Sequence, residues 1–232
     1  MNEQIAIHQT AWGQLEEVEL PNLHSDHATR FFMEFFPFRK GERVAEPGCG
    51  SGVLSIAAAM AGAAEVTGID ISSEAIELAR RNAKINHQEQ IRFLEGSLLE
   101  PVAGPLDLVV ALLPHKPAPR PFDARYYGGD DGTDLLLAVI EQAGQKLVPG
   151  GRLGLYVNSI ANPQRVLQEF SRQFAVRLLG EKKRYFTREE FDDLTPGMFT
   201  HLENQRRKGA AEFAQDEQGL YFSARLYEGT CL

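Results

Sequence analysis

The stretch Glu46-Pro47-Gly48-Cys49-Gly50-Ser51-Gly52 decides how this chain is read. A short apolar run, Arg43 to Glu46, precedes the glycines and an alanine-rich segment, Gly52 to Gly62, follows them. The loop therefore falls where a first strand turns into a first helix. Glycines at alternate positions let the main chain turn tightly and let a ligand approach without meeting a Cβ. The dinucleotide fingerprint would need glycine at 53, where Val53 stands, so the spacing is GxGxG and NAD is the weaker expectation.

Charge narrows the ligand further. A carboxylate at Glu46 would oppose a pyrophosphate but suits a ligand carrying an amino group and a sulfonium. S-adenosylmethionine has both. Asp70 ends a second strand, Val66 to Ile71, where its carboxylate can accept hydrogen bonds from both hydroxyls of an adenosine ribose. Gly96-Ser97-Leu98, after a third strand at Ile91 to Leu94, is placed to border the adenine, with Ser97 as a hydrogen-bonding partner. Gly48, Gly50 and Gly52, with Cys49 between them, Ile71 beside the acid and Leu112 at the end of the fourth strand complete the expected cofactor set. The Cys49 thiol is expected to pack in the turn.

Farther out, strand and helix alternate with short connections. Ser72 or Ser73 caps a helix through Ile85, Leu106 to Ala111 is a fourth strand, and Asp131 or Thr133 opens a helix through Leu147. Pro149-Gly150-Gly151 reads as a turn before a fifth strand at Arg152 to Val157 and a helix at Pro163 to Gln173. This rhythm predicts an α/β fold, a mostly parallel sheet with helices on both faces. Phe174 to Phe186 and Gly219 to Tyr227 read instead as an antiparallel hairpin at the sheet edge. The insert between them, 190–218, is expected either to close over the site as a lid or to pair two subunits as a homodimer. Residues 1–40 form an amino-terminal cap segment in which Phe31, Phe32, Phe35 and Phe36 share one helix face, and 41–232 the main domain.

Composition bounds the partners. The 232 residues carry 24 Lys+Arg against 32 Asp+Glu, a formal charge of −8, which argues against a phosphate backbone as the main partner. Lys182-Lys183-Arg184 and Arg206-Arg207-Lys208 read as solvated surface. No window approaches the roughly 18 apolar residues of a membrane span, and Met1 to Thr10 lacks the features of a secretory signal, so a cytoplasmic location is expected. Cys49 and Cys231 form no ligand spacing, and His24-Ser25-Asp26-His27 is better explained as a helix cap than as a metal site.

These motifs resemble the class I S-adenosylmethionine-dependent methyltransferases over roughly residues 40–185. Gly50-Ser-Gly-Val-Leu-Ser-Ile-Ala-Ala-Ala is similar to the ribosomal-protein lysine enzymes, and Tyr127-Gly-Gly-Asp-Asp-Gly-Thr-Asp-Leu-Leu to the release-factor glutamine enzymes. The resemblance implies a Rossmann-like sheet of seven strands with the last antiparallel. It also implies Asp70 and the glycines as cofactor contacts, with S-adenosylhomocysteine as product.

At the end of the fourth strand the glutamine and adenine amino methyltransferases carry Asn-Pro-Pro-Tyr, which binds a planar NH2. This chain reads Leu112-Leu113-Pro114-His115, and Leu112 accepts no hydrogen bond. Pro114, His115, Lys116, Tyr127, His24 and His27 are expected around the acceptor, with His115 a candidate general base. The changed motif, and the little chain available for a separate recognition domain, favour a small-molecule acceptor methylated on N, O or S. Methylation of a protein glutamine or lysine is the alternative within enzymes, and a non-catalytic S-adenosylmethionine-binding module the alternative outside them.

Overall fold

A computed structural model describes residues 4–232. Ten strands and seven helices are present among them. Two strands, β1 (Gln4–Thr10) and β2 (Gly13–Glu19), form a separate antiparallel hairpin in which His8 stands opposite Leu15. The remaining eight, β3 to β10, build one mostly parallel sheet. Their order is β5 (Arg92–Glu95), β4 (Glu65–Asp70), β3 (Arg43–Pro47), β6 (Leu106–Ala111), β7 (Leu147–Asn158), β10 (Gly219–Cys231) and β8 (Phe174–Phe186). The short strand β9 (Ala214–Asp216) pairs antiparallel with β10.

The chain divides into two compact units, one running to Leu112 with Gln142–Gly154 and Cys231, the other made of Leu113–Glu141, Leu155–Thr230 and Leu232. In the first, β3 pairs in parallel with β4 and β6, and β4 with β5. Leu106, Leu108, Val109, Val110 and Ala111 are all buried, the near-continuous apolar run of a strand covered on both faces. Helix α1 (His27–Phe35) starts where Asp26 accepts the backbone N–H groups of Ala28 and Thr29, and it packs where Gly154 lacks a side chain. A Cβ there would meet Phe36 at 2.5 Å and Phe32 at 3.0 Å. The stretch α2 (Val53–Met60) and α3 (Ser73–Ile85), the latter capped by Ser72, completes this unit's helices.

The second unit holds α5 (Pro163–Gln173), which begins with Asn162 as cap and proline in its first turn. It also holds α6 (Arg188–Leu194), opened by a Thr187/Glu190 capping box, and α7 (Met198–Arg207). The 190–218 insert is therefore folded chain with its own core: Phe186, Phe191, Met198, Phe199, Leu202 and Phe213 cluster with Phe222. Helix α4 (Asp134–Lys146) is shared by the two units.

Element boundaries follow the sequence reading closely, with three departures. The main sheet has eight strands and not the expected seven, because the 190–218 insert contributes the short β9, which pairs with β10. Residues 4–19 form a hairpin that polar composition had hidden. Pro149-Gly150-Gly151 does not interrupt the chain before a fifth strand: Gly150 takes a left-handed φ of +78° inside β7, which starts at Leu147. Among the described residues no helix is long and apolar enough to cross a membrane.

Candidate functional site

The glycine loop leaves the carboxyl end of β3 and is tied to the carboxyl end of β4. Gly48, Gly50 and Gly52 all adopt positive φ, of +70°, +52° and +81°, which side-chain-bearing residues rarely tolerate. The Cys49 N–H donates to Ile69 O at 2.9 Å, and the Gly52 N–H to Cys49 O at 2.8 Å. Asp70 uses both carboxylate oxygens on the main chain: Oδ2 accepts the Gly50 N–H at 2.9 Å and Oδ1 the Ser72 N–H at 3.0 Å. Its own carbonyl accepts the Gly96 N–H at 2.9 Å.

The glycines do different work. A Cβ on Gly52 would meet the Ala79 Cβ at 2.9 Å and the Phe93 ring at 3.3 Å, so Gly52 lets α2 sit tightly on its neighbours. A Cβ on Gly50 would meet nothing within 4 Å, so the main chain there borders open space. Ile71, next to Asp70, is 69% exposed, an uncovered apolar side chain beside an acid. Ser97 is exposed and Leu98 half-buried, with a left-handed φ of +46°. Bare backbone, a carboxylate able to accept from two hydroxyls and an apolar edge fit an adenosine-bearing cofactor.

Glu46 is buried, and its Oε2 accepts the Ser55 hydroxyl at 2.5 Å. Burial pushes its carboxyl up to about 8, the Ser55 hydrogen bond opposes this, and the neighbouring charge of Asp70 adds to it. A cation arriving nearby would favour its ionised form. Burial raises the Cys49 thiol well above its ordinary range, so it stays protonated and does not act as a nucleophile.

The residue that sequence reasoning missed is Glu17. It lies on β2, is fully buried, and receives four hydrogen bonds. Its Oε1 accepts the Ser25 N–H at 2.7 Å and the Ser51 hydroxyl at 2.6 Å; its Oε2 accepts the Ser25 hydroxyl at 2.5 Å and lies 2.8 Å from His8 Nε2. Burial alone would raise its carboxyl, but the bonds from His8, Ser25 and Ser51 outweigh that and hold it below the ordinary value. Two asparagines of α3 continue the attachment. Asn82 Oδ1 accepts the Val18 N–H while its amide donates to Ser51 O, and Asn86 exchanges two bonds with the Glu16 main chain. The available signal was the alternation Leu15-Glu16-Glu17-Val18, in which an acid occupies an inward position.

In the second unit His115 is buried with both ring nitrogens engaged. Nδ1 lies 2.5 Å from Leu113 O, and Nε2 lies 3.1 Å from the Asn158 N–H. A carbonyl only accepts and a backbone N–H only donates, so the neutral ring with its proton on Nδ1 satisfies both. The Tyr156 ring stands edge-on at 5.7 Å. Lys116 exchanges main-chain bonds with the Tyr126–Gly128 segment, and its ammonium sits 4.4 Å from the Tyr126 ring centre. Pro114 and Tyr127 are half-buried beside them in sequence. The Gly128-to-Thr133 turn is pinned by Asp131, which accepts from Thr133, Asn162 and Arg165.

His24 and His27 lie exposed around the start of α1, where His24 Nδ1 is 3.3 Å from Leu20 O and His27 faces Asp26 at 3.8 Å. No group of three metal-ligating side chains occurs among the described residues. Leu112 is half-buried at the end of the first unit's run.

Glycine loop, strand-ending acid and a mostly parallel sheet in this order define a class I S-adenosylmethionine-dependent methyltransferase. Residues 22–188 match the methyltransferase small domain, and the chain belongs to that family. It is 38% identical over 122 residues to the release factor glutamine methyltransferase of Deinococcus radiodurans, covering 48% of this chain and 44% of that one. It is 39% identical over 115 residues to a ribosomal protein L11 methyltransferase of an Exiguobacterium, covering 49% and 31%. The chain thus spans less than half the length of either relative. The fold is shared with a 16S rRNA methyltransferase of Thermus thermophilus solved with S-adenosylmethionine and guanosine, at TM-score 0.59 and 20% identity over 77% of this chain and 47% of that one.

These relatives correct the partner expectation. Both sequence relatives are named for protein substrates, so a small-molecule acceptor does not stand. Nor does the exclusion of nucleic acid from a net charge of −8, since the same fold serves an RNA enzyme. The physical error was to weigh whole-chain charge, which says little about a local surface.

Proposed function

We propose that this protein methylates a protein side chain, the carboxamide of a glutamine. The observation that carries the reading is the 38% identity over 122 residues to a release factor glutamine methyltransferase. In this reading Gly50 leaves the cofactor room, Asp70 receives its ribose hydroxyls, and Ile71, Ser97 and Leu98 border its base. Glu46 supplies negative charge below the loop once ionised. Bound there, S-adenosylmethionine would supply an electrophilic methyl group to the acceptor nitrogen, the C–S bonding pair staying with sulfur and the displaced amide proton leaving to water.

The chain's contribution is then chiefly positioning. His115 fits this better than a general base, because its Nε2 lone pair is already taken by the Asn158 N–H. It acts as a strut that fixes the Leu113-Pro114-His115 turn, while Pro114, Lys116 and Tyr127 face the acceptor.

The test is label transfer from methyl-tritiated S-adenosylmethionine into a fractionated cell extract. Protease-sensitive label released as volatile methylamine by acid hydrolysis is the expected result, since an N-methylated carboxamide hydrolyses to that amine. Label that stays on the hydrolysed amino acid would indicate a lysine acceptor, and nuclease-sensitive label an RNA one; either overturns the glutamine reading.

A further inference from the structure

Among the described residues one buried side-chain polar atom has no hydrogen-bond partner: Oδ1 of Asn158, whose residue is only 8% exposed. Buried carbonyl oxygens are nearly always paired, and an orphan at a functional position calls for a ligand that pairs it. We propose that Asn158 is the residue that recognises the acceptor carboxamide, a role that rests on the glutamine reading above.

The main chain carrying this side chain is already committed. The Asn158 N–H donates to His115 Nε2 at 3.1 Å, and the Asn158 carbonyl accepts the Ala161 N–H at 2.9 Å. Next in sequence, the Ser159 hydroxyl donates to Glu212 O at 2.6 Å and accepts the Ser223 N–H at 3.0 Å, while Ser159 O accepts the Glu212 N–H at 2.8 Å. The backbone is held from three sides, and the amide group alone is left with unused capacity. A rigidly placed group with unspent hydrogen bonds is the arrangement expected of a recognition residue.

Chemistry selects the ligand class. Oδ1 requires an N–H or O–H donor, and the Nδ2 of the same amide offers a donor in return. A primary carboxamide presents the complementary pair, NH2 toward Oδ1 and C=O toward Nδ2, and so forms two parallel bonds that a carboxylate or a thioether does not. Asn158 ends β7 at the carboxyl edge of its strand, where ligands lie in open α/β sheets. Its direct bond to His115 places it beside the turn in which Leu112 and Leu113 offer only apolar side chains. A polar recognition group is therefore supplied from β7.

The experiment uses the full chain carrying Asn158→Leu, which keeps the number and branching of the side-chain heavy atoms and removes the orphan. The expected result is an unchanged or higher thermal midpoint, unchanged calorimetric binding of S-adenosylmethionine, and at least a 100-fold loss of methylamine-releasing label. A rate within threefold of wild type overturns the role of Asn158 and leaves the glutamine reading standing. Wild-type label that is not released as methylamine overturns both. Because the variant can fail to fold, the labelled acceptor protein is also prepared with its target glutamine changed to glutamate. Wild-type enzyme is expected to bind that protein at least tenfold more weakly than the unchanged acceptor, and equal binding overturns the proposal.

Discussion

The Ser51 hydroxyl donates to Glu17 at 2.6 Å, across 34 positions of sequence, and so fastens the amino-terminal hairpin to the glycine loop. Because the same carboxylate also holds Ser25 and His8, one buried acid ties the hairpin, the start of α1 and the loop into a single arrangement.

Glu17→Ala leaves three polar side chains without their common acceptor. Loss of a buried, fully bonded charge costs about 3–5 kcal/mol. The expected outcome is a lower urea midpoint with S-adenosylmethionine affinity reduced at least tenfold, read by calorimetry below the transition. Unchanged affinity would separate the hairpin from the loop's function.

Gly50 and Gly52 are expected to fail differently. Gly52→Ala drives a Cβ into Ala79 at positive φ and should cost about 3 kcal/mol, seen as a lower thermal midpoint. Gly50→Ala meets only open space, so its stability cost is about 1 kcal/mol of backbone strain, while cofactor binding is lost. Parallel melting and binding curves for the two variants check this contrast.

Glu46 predicts a dependence on pH. Its folded value, about 8, lies above the ordinary 4.5, so the folded chain holds a proton that the unfolded chain releases across that window. Its contribution to stability is complete below pH 4.5 and declines by about 1.4 kcal/mol per unit as pH rises toward 8. Glu17 works in the opposite sense, its contribution being present above 4.5 and lost as pH falls through its depressed folded value. Denaturation of wild type and Glu46→Gln from pH 5 to 9 should show the alkaline decline only in wild type.

His115→Ala should behave as the loss of a strut. Leu113 O and the Asn158 N–H lose their partner, at a cost of about 2–3 kcal/mol. The pH–rate profile of the residual activity should keep the wild-type shape. Disappearance of an acid limb in the variant would instead make His115 a base.

Much was legible from residue order. The strand Leu106–Ala111 and the helices Ser73–Ile85 and Pro163–Gln173 were placed by apolar runs and caps, and the structure has the same bounds. Those features act over a few residues, within the range of local propensity. The hairpin at Gln4–Glu19 escaped because its inward face carries His8 and Glu17, whose burial is tolerable only with partners at 25 and 51.

The sequence by itself determined the alternation of strands and helices, the GxGxG turn and the acid at Asp70, because glycine conformation and strand length are properties of short segments. The division of labour was decided by tertiary structure alone. Only in three dimensions does Gly50 border open space while Gly52 packs, His115 spend both nitrogens on the main chain, and Asn158 remain buried with an unpaired oxygen. Hydrogen-bond satisfaction and close packing depend on residues tens of positions apart, and no local pattern encodes which of them meet.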